Sequence, residues 1–298
     1  MTSVAVVAHA GKTLGGGLTE LRRVLSAAGI DDPAWFEVPK SKFAPECVRD
    51  AIEGGADLLF VWGGDGMVQR CLDAVGDAPV PIAILPAGTG NLLARNLGVP
   101  IDLEQAVEVG LHGARRTIDV GTVNGERFAV MAGTGLDALM IRDADRSLKD
   151  RFGRAAYVWT GAKHLRVDPF GVKIDVDGRR WFHGKAGCVL VGNVSKVFGG
   201  VEAFDDADPE DGRLELGVVT AKGAVQWLRA LTRTAVSSAD KSKFVRTTKA
   251  RKIRLRLDRK LPYELDGGDK KPAKKLKIDV RPAAVTVCVP EATAGASR

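Results

Sequence analysis

The chain has 298 residues, 45% hydrophobic and 27% charged, an ordinary globular composition and enough length that two cores are expected rather than one. Lys and Arg number 44 against 37 Asp and Glu, a net charge of +7, which favours an anionic partner such as nucleic acid or an anionic membrane surface, or simply a well-solvated face. No apolar run approaches the roughly 20 residues that span a bilayer. The start, MTSVAVVAHAG, has no basic stretch ahead of its apolar run and reads as a buried strand rather than a signal peptide. Cys47, Cys71, Cys188 and Cys288 show neither CxxC nor Cys/His spacing, which fits reduced core thiols and a cytoplasmic setting.

From the N-terminus, apolar strands alternate with helical patterns. Val4–Ala8 is a short apolar run, followed by a Gly-rich turn and a helix over Leu18–Ala28 that places Leu21, Val24 and Leu25 on one face. A second helix is predicted over Cys47–Gly54, then a strand Leu58–Trp62 whose continuous LLFVW run suits burial on both faces of a parallel sheet. A third unit follows, with a helix Met67–Val75, a strand Pro81–Leu85 and a helix Gly90–Leu97. After about Asp119 the texture changes. Val120–Gly125 and Arg127–Met131 read as a hairpin about Asn124-Gly125. Short β-branched runs follow at Val172–Val176, Cys188–Gly192, Leu214–Val219, Ile253–Leu257, Lys277–Val280 and Val285–Val289, with helical insertions at Ile141–His164 and Gly223–Val236. The expected architecture is an α/β domain of βαβ units with a parallel sheet over residues 1–119. A β-rich, sandwich-like domain covers 120–290, its last strand or two free to return to the first domain, and 291–298 form a tail.

Two loops carry the chemistry. Gly63-Gly64-Asp65-Gly66 follows the buried LLFVW strand and opens a helix, where glycines let the backbone approach a phosphate and the helix N-terminus offers free N–H groups. Asp65 inside such a loop points to a Mg²⁺ contact, to a role beside an acceptor hydroxyl, or to an ordinary capping aspartate. Pro86-Ala87-Gly88-Thr89-Gly90-Asn91 ends the next strand and opens the next helix. Together the loops make one composite floor for a polyphosphate at the carboxyl ends of parallel strands. Thr89 supplies a hydroxyl there, and Asn91 is placed to cap or to bind.

GGDGMVQRC, PAGTGNLLARNLGVP and the IDVG around Asp119 resemble the catalytic family of diacylglycerol and sphingosine kinases, and the resemblance runs over nearly the whole chain. It implies an ATP- and Mg²⁺-dependent lipid kinase, with diacylglycerol the first acceptor to consider. ATP would lie in an interdomain cleft, touching Gly11, Lys12, Gly63, Gly64, Gly66, Gln69, Gly88, Thr89 and Asn91. It implies a structural Mg²⁺ site in Asp208-Pro209-Glu210-Asp211-Gly212-Arg213, from the carboxylates of Asp208 and Asp211 and the carbonyl of Arg213, an oxygen set that suits a hard cation. It gives Asp119 a part in aligning the acceptor or the active-site magnesium, with a junction aspartate paired to Arg115 or Arg116 as the plainer reading. Gly133, Gly135 and Asp137 would shape acceptor access.

The chain departs from the family pattern in three places. Ala8-His9-Ala10-Gly11-Lys12 replaces an Asn-Pro-x-Ser-Gly loop, leaving His9 without an evident partner. Met67 stands where a threonine is usual. Gly268, in Leu265-Asp266-Gly267-Gly268-Asp269, stands where bacterial members carry a glutamate taken as the proton acceptor. Asp65, Asp266 or Asp269 then takes that role, or catalysis is weak and the chain is a nucleotide or lipid sensor; Asp65 with Asp266 nearby is favoured. An NAD kinase is a more distant reading. Partners expected are ATP and a lipid met by transient peripheral contact with a membrane, helped by basic clusters and by Phe152, Tyr157 and Trp159. Nucleic acid is not expected, since the chain shows neither a recognition helix nor a stacking platform. The sequence leaves oligomeric state open, a homodimer being the commonest assembly.

Overall fold

The computed structural model describes residues 2–13, 16–135, 169–197, 201–220 and 245–291. Both expected helical insertions, Asp137 and the aromatic trio at 152, 157 and 159 lie outside them. The chain divides into two compact units, residues 1–118 with 283–298 and residues 119–282.

The first unit is built on parallel strands β1 (Val4–His9), β2 (Ala34–Val38), β3 (Leu58–Gly63) and β4 (Ile82–Pro86), joined by the end of β16 (Gly268–Val289). Their order is β2-β1-β3-β4-β16, parallel throughout. Every residue of β3 and β4 is buried, which is why both read as unbroken apolar runs. Around the sheet lie α1 (Gly17–Ala27), α2 (Ala44–Glu53), α3 (Asp65–Val75), α4 (Leu92–Asn96) and α5 (Leu103–His112). Helix α1 buries Leu21, Val24 and Leu25, and α2 buries Ala44, Val48 and Ala51, the i, i+3, i+4 stripes of helices with one wet face. Helix α5 starts at Asp102, whose carboxylate accepts the N–H of Gln105 at 3.0 Å, a standard N-cap. Strand β2 and helix α5 are not among the sequence expectations. β2 is partly exposed and lacks a continuous apolar run.

The strand order places the site. Because β2 and β3 flank β1 on opposite sides, the chain winds away from β1 in both directions, and the loops after β1 and β3 border a crevice at the carboxyl ends of the strands. Gly63 is in register with Pro86, so the loops after β3 and β4 leave side by side.

The second unit is antiparallel. It comprises the end of β5 (Ala114–Val123), β6 (Glu126–Phe128), β7 (Met131–Gly135), β8 (Phe170–Val176), β9 (Arg179–Ala186), β10 (Cys188–Gly192), the short β11 (Lys196–Val197) and β12 (Val201–Glu202), β13 (Leu214–Val219), β14 (Val245–Ala250), β15 (Lys252–Leu265) and most of β16. Strand β15 does double duty. Ile253–Leu257 pair with β8, and Tyr263–Leu265 pair with β7, with a register break between them. One strand thus serves both β9-β8-β15 and β14-β13-β10-β7-β15, and their inner faces share a core that includes Phe128, Phe170, Ile174, Leu216, Leu255 and Leu276. The architecture is the expected parallel α/β unit followed by a β-rich sandwich. Asn124-Gly125, Asp177-Gly178 and Asp266-Gly267 are all left-handed pairs, the geometry of tight hairpin turns. The runs at 277–280 and 285–289 belong to one 22-residue strand, which passes from the second unit to the first through a left-handed Ala283.

Candidate functional site

Three loops meet at the carboxyl end of the parallel sheet. The first follows β1. His9 Nδ1 accepts the N–H of Gly11 at 3.1 Å, and the His9 carbonyl accepts the N–H of Lys12. His9, without a partner in the sequence reading, therefore shapes this loop. Burial and the nearby Lys12 hold its imidazole below the usual histidine range, keeping Nδ1 an acceptor at neutral pH.

The second and third loops cross at two glycines. A Cβ on Gly88 would stand 2.6 Å from the Cα of Gly64, and one on Gly64 would stand 3.1 Å from the Cα of Gly88. No side chain fits between them. Lys12 Nζ lies 4.0 Å from that Gly64 position, so the first loop brings its ammonium to the crossing. Asn91, left-handed at φ 47° and buried, closes the third loop on itself. Its Oδ1 accepts the N–H of Gly88 at 2.9 Å and its Nδ2 donates to the Gly88 carbonyl at 2.7 Å. Thr89 is left exposed at the loop tip, and Gly66 is exposed with open space where a side chain would be.

Asp65 is a clasp between the loops. From the first turn of α3 its carboxylate accepts the N–H of Leu92 and is favoured in its charged form by the N–H groups of Leu93 and Asn91. It thus caps the N-terminus of α4, a helix whose own N-cap side chain makes no such bond. Burial nevertheless pushes its carboxyl above the usual carboxylate range, against those N–H groups. Its Oδ2 fills the space beside Gly90, where a Cβ would sit 2.7 Å away. Of the other expected contacts, Gln69 is buried in α3, and Met67 packs where a Cβ on Gly63 would lie 2.5 Å from it.

Asp119, Asp266 and the acidic turn belong to the second unit, where backbone groups engage all of them. Asp266 Oδ2 accepts the N–H of Ala129 at 2.8 Å, and Oδ1 those of Val130 at 2.9 Å and Met131 at 2.8 Å. This buried carboxylate holds the β6–β7 connection. Asp119 is equally buried. Its Oδ2 accepts the N–H of Gly212 at 2.6 Å, and its N–H donates to the Pro209 carbonyl. Arg115, one of its two expected partners beside Arg116, donates to the carbonyls of Gly110 and Gly113. Asn193, which sequence reasoning missed, ties together the backbone at Asp119 and at Ala129, one of the residues whose N–H Asp266 holds. Its Nδ2 donates to the carbonyls of Asp119 at 2.8 Å and Ala129 at 3.0 Å. Gly133 and Gly135 lie in β7, paired with β10.

The acidic turn departs from the expected cation site. Asp208 Oδ1 accepts the N–H of Glu210, and Asp211 Oδ1 that of Arg213. The charge facing Asp211 is Lys249, whose Nζ lies 2.9 Å from Asp211 Oδ2, 2.9 Å from the Asp206 carbonyl and 3.2 Å from Glu215 Oε1. Of the expected donor set, Asp211 is thus already engaged by an ammonium. Among the described residues, no three His, Cys, Asp or Glu side chains cluster in a way that could hold a metal. The hydrogen bond to Asp211 raises the lysine above its usual range. The ammonium is therefore in place at neutral pH, and its contribution is lost as pH rises through that raised value.

Three outcomes follow from this geometry. Asp65→Ala and Gly90→Ala are each expected to lower unfolding free energy by about 1–2 kcal/mol, as lost cap and overpacking respectively. In the double variant the glycine substitution costs clearly less, because the atom it strikes is gone; urea titrations of the four proteins measure the coupling. The His9 imidazole is expected to titrate with a midpoint below 6.5, with Nδ1 unprotonated at pH 7 in ¹⁵N-correlated spectra. Lys249→Met is expected to cost about 1–2 kcal/mol, discounted for partial exposure. The native chain should melt at the same temperature in EDTA and in Mg²⁺ without nucleotide.

Comparison with known proteins identifies the family and the fold. Residues 4–123 match the model of the diacylglycerol kinase catalytic domain, and residues 130–289 that of the YegS C-terminal NAD kinase beta sandwich-like domain. The chain is 28% identical to a diacylglycerol kinase of Bacillus subtilis (strain 168), over 76% of this chain and 78% of that one. It is 30% identical to a protein of Pseudomonas fluorescens named "Probable lipid kinase YegS-like", over 83% and 82%. In fold it is similar to a diacylglycerol kinase from Bacillus anthracis str. Sterne, with TM-score 0.74, 21% identity and 96% of each chain covered. An NAD kinase from Archaeoglobus fulgidus in complex with ATP is more distant, at TM-score 0.54 and 12% identity over 96% of this chain and 93% of that one. With a kinase catalytic domain in its first part and the sandwich of the same family in its second, this chain belongs to the family of bacterial diacylglycerol kinases and YegS-like lipid kinases, and is an ATP-dependent lipid kinase.

Proposed function

We propose that the chain transfers the γ-phosphoryl group of ATP to the free hydroxyl of diacylglycerol, giving phosphatidic acid, with ATP used as its Mg²⁺ complex. The observation that carries the site is the Gly64–Gly88 crossing beside Lys12 and Thr89. It brings backbone, an ammonium and a hydroxyl to one exposed point at the switch in strand order. Phosphoryl transfer requires little covalent help from the protein and much positioning and charge neutralisation. Mg²⁺ bound with the nucleotide would supply part of that neutralisation.

In this reading Lys12 faces the phosphates, the Gly66 backbone approaches them where a side chain would intrude, and Thr89 donates its hydroxyl. Asp65 positions the two loops relative to each other. Asp119 and Asp266 organise backbone in the second unit. The sequence expectation had made Asp65, Asp119 and Asp266 participants in the chemistry, and the hydrogen bonds described above support the positioning role instead. No step is assigned to a metal in the acidic turn, where Lys249 provides the countercharge.

Gly268 stands at the glutamate position of the family pattern and Asp266 is engaged by three amides, which leaves exposed Asp269 as the other carboxylate expected in this segment, and turnover should be low. A general base is worth about 10²–10⁴-fold. The second reading, a weakly active or inactive nucleotide or lipid sensor, draws on the same observation.

Transfer of labelled γ-phosphate from ATP to a panel of diacylglycerol, other lipid alcohols and NAD in mixed micelles separates the readings. Lipid-dependent product is expected, and phosphorylation of NAD alone would overturn the lipid assignment. ATP binding without product on any acceptor would establish the sensor. Lys12→Ala is expected to weaken ATP binding about 10- to 100-fold, the worth of a charged hydrogen bond. Gly66→Ala is expected to stabilise α3 by about 0.5–1 kcal/mol while weakening ATP binding, since only the ligand needs the space. Gly268→Glu, at a position where a Cβ meets only the Leu265 carbonyl at 3.2 Å, is expected to raise kcat at least tenfold with little change in KM for ATP. An unchanged kcat would mean that another group takes the proton.

A further inference from the structure

The second unit carries a feature that neither the kinase site nor its core requires. Strands β9, β8, β15 and β16 lie side by side, and their register aligns charged residues into rows. His183, Lys173, Arg256 and Lys275 are paired in succession across the four strands. The next row outward from the bulge is Arg180, Asp175, Arg254 and Lys277. The intervening residues Ile174, Leu255 and Leu276 are buried, so by strand alternation both rows face away from the core. Lys173, Arg256, Lys275 and Lys277 are exposed.

Like charges directly opposite one another destabilise a sheet, and Lys173, Arg256 and Lys275 are three in succession. The nearby carboxylates relieve them only in part: Asp175 feels the charge of Arg256, but its ion pair is with Arg180. Asp175 pairs with Arg180 at 2.5 Å, and Asp279 with Arg254 at 2.8 Å. Among the described residues, Lys173, Lys275 and Lys277 form no ion pair. A solvated face needs only mixed charges, whereas this one concentrates a single sign on a broad β-surface.

We propose that this face of the sheet docks the protein on a bilayer surface rich in anionic lipid headgroups. Four strands spaced about 4.8 Å apart present the cations as a shallow array rather than a groove. Apart from the single imidazole of His183, the two rows hold no aromatic side chain, so they lack the run of stacking rings that single-stranded nucleic-acid platforms use. Headgroup phosphates need no fixed partner geometry, and each lysine or arginine near such a surface adds to the attraction. The choice of a lipid surface over another polyanion rests on the lipid-acceptor reading above; the charged rows themselves do not.

The test is co-sedimentation of the full chain, without ATP, with vesicles of phosphatidylcholine alone or mixed with phosphatidylglycerol, at low and physiological salt. Binding is expected only to the anionic vesicles and to weaken with salt. Lys173→Glu/Arg256→Glu/Lys275→Glu is expected to lower partitioning about a hundred-fold or more, at roughly fivefold per charge. The gentler triple glutamine variant should show a smaller loss in the same direction, which guards against misfolding of the first. Lys40→Glu/Lys42→Glu/Arg49→Glu, with the same change in net charge on the first unit, should bind as the native chain does. Phosphorylation of a monomeric short-chain diacylglycerol, which needs no surface, should survive in both triples; its absence in the native chain would count against the kinase acceptor, not against docking. Equal losses in both triples, indifference to phosphatidylglycerol, or tighter binding to duplex DNA than to vesicles would overturn the proposal.

Discussion

The contact between the Cα atoms of Gly64 and Gly88 is the constraint on which the site depends. Parallel strands in register, with Gly63 opposite Pro86, deliver two loops so close together that neither can carry a side chain at the crossing. Everything around the crossing follows from it. Asp65, one residue past Gly64, is placed to reach the start of α4, and Gly90 must be small because the carboxylate occupies its side-chain space. Asn91 adopts a left-handed conformation, which asparagine tolerates better than most residues, and ties the loop back to Gly88. What remains unengaged on the protein side is what a phosphate requires: exposed backbone at Gly66, the Thr89 hydroxyl and the Lys12 ammonium.

The second unit uses carboxylates differently. Asp266 gathers three consecutive amides, Asp119 holds the acidic turn through Gly212, and Asn193 ties the backbone at Asp119 to that at Ala129. Each would be expensive to bury without partners, and each has them in the backbone. Lys249 repeats the principle with the opposite sign by placing an ammonium among Asp211, Glu215 and a carbonyl. A side chain thus supplies positive charge to Asp211 and Glu215 in this turn. The chemistry of transfer then falls to the first unit and its nucleotide.

Much of this was legible in the residues. The unbroken LLFVW run announced a strand buried on both faces, and two glycine loops at successive strand ends announced loops that lie side by side; both depend on local chemistry that the sequence displays directly. The hairpin at Asn124-Gly125 was readable for the same reason. The roles of the aspartates were not. Asp65 reaches a helix 27 residues away and Asp266 a turn more than 130 away, and a carboxylate's partners over such separations leave no spacing to read. His9 looked partnerless because its partner is a backbone N–H. The pairing of Lys249 with Asp211, 38 residues apart, was hidden in a run of basic residues that read as a charged face. Strand β2 escaped notice because its pattern is neither continuously apolar nor cleanly alternating.

The most direct test of the account is amide hydrogen exchange of the native chain with and without a non-hydrolysable ATP analogue. If the three loops form one phosphate floor, the analogue should slow exchange at residues 10–12, 64–67 and 88–92 together. Asp65→Ala should uncouple the third loop from the second. Protection confined to a single loop, or protection of all three that survives Asp65→Ala unchanged, would contradict the claim that the glycine crossing and its aspartate clasp build the site.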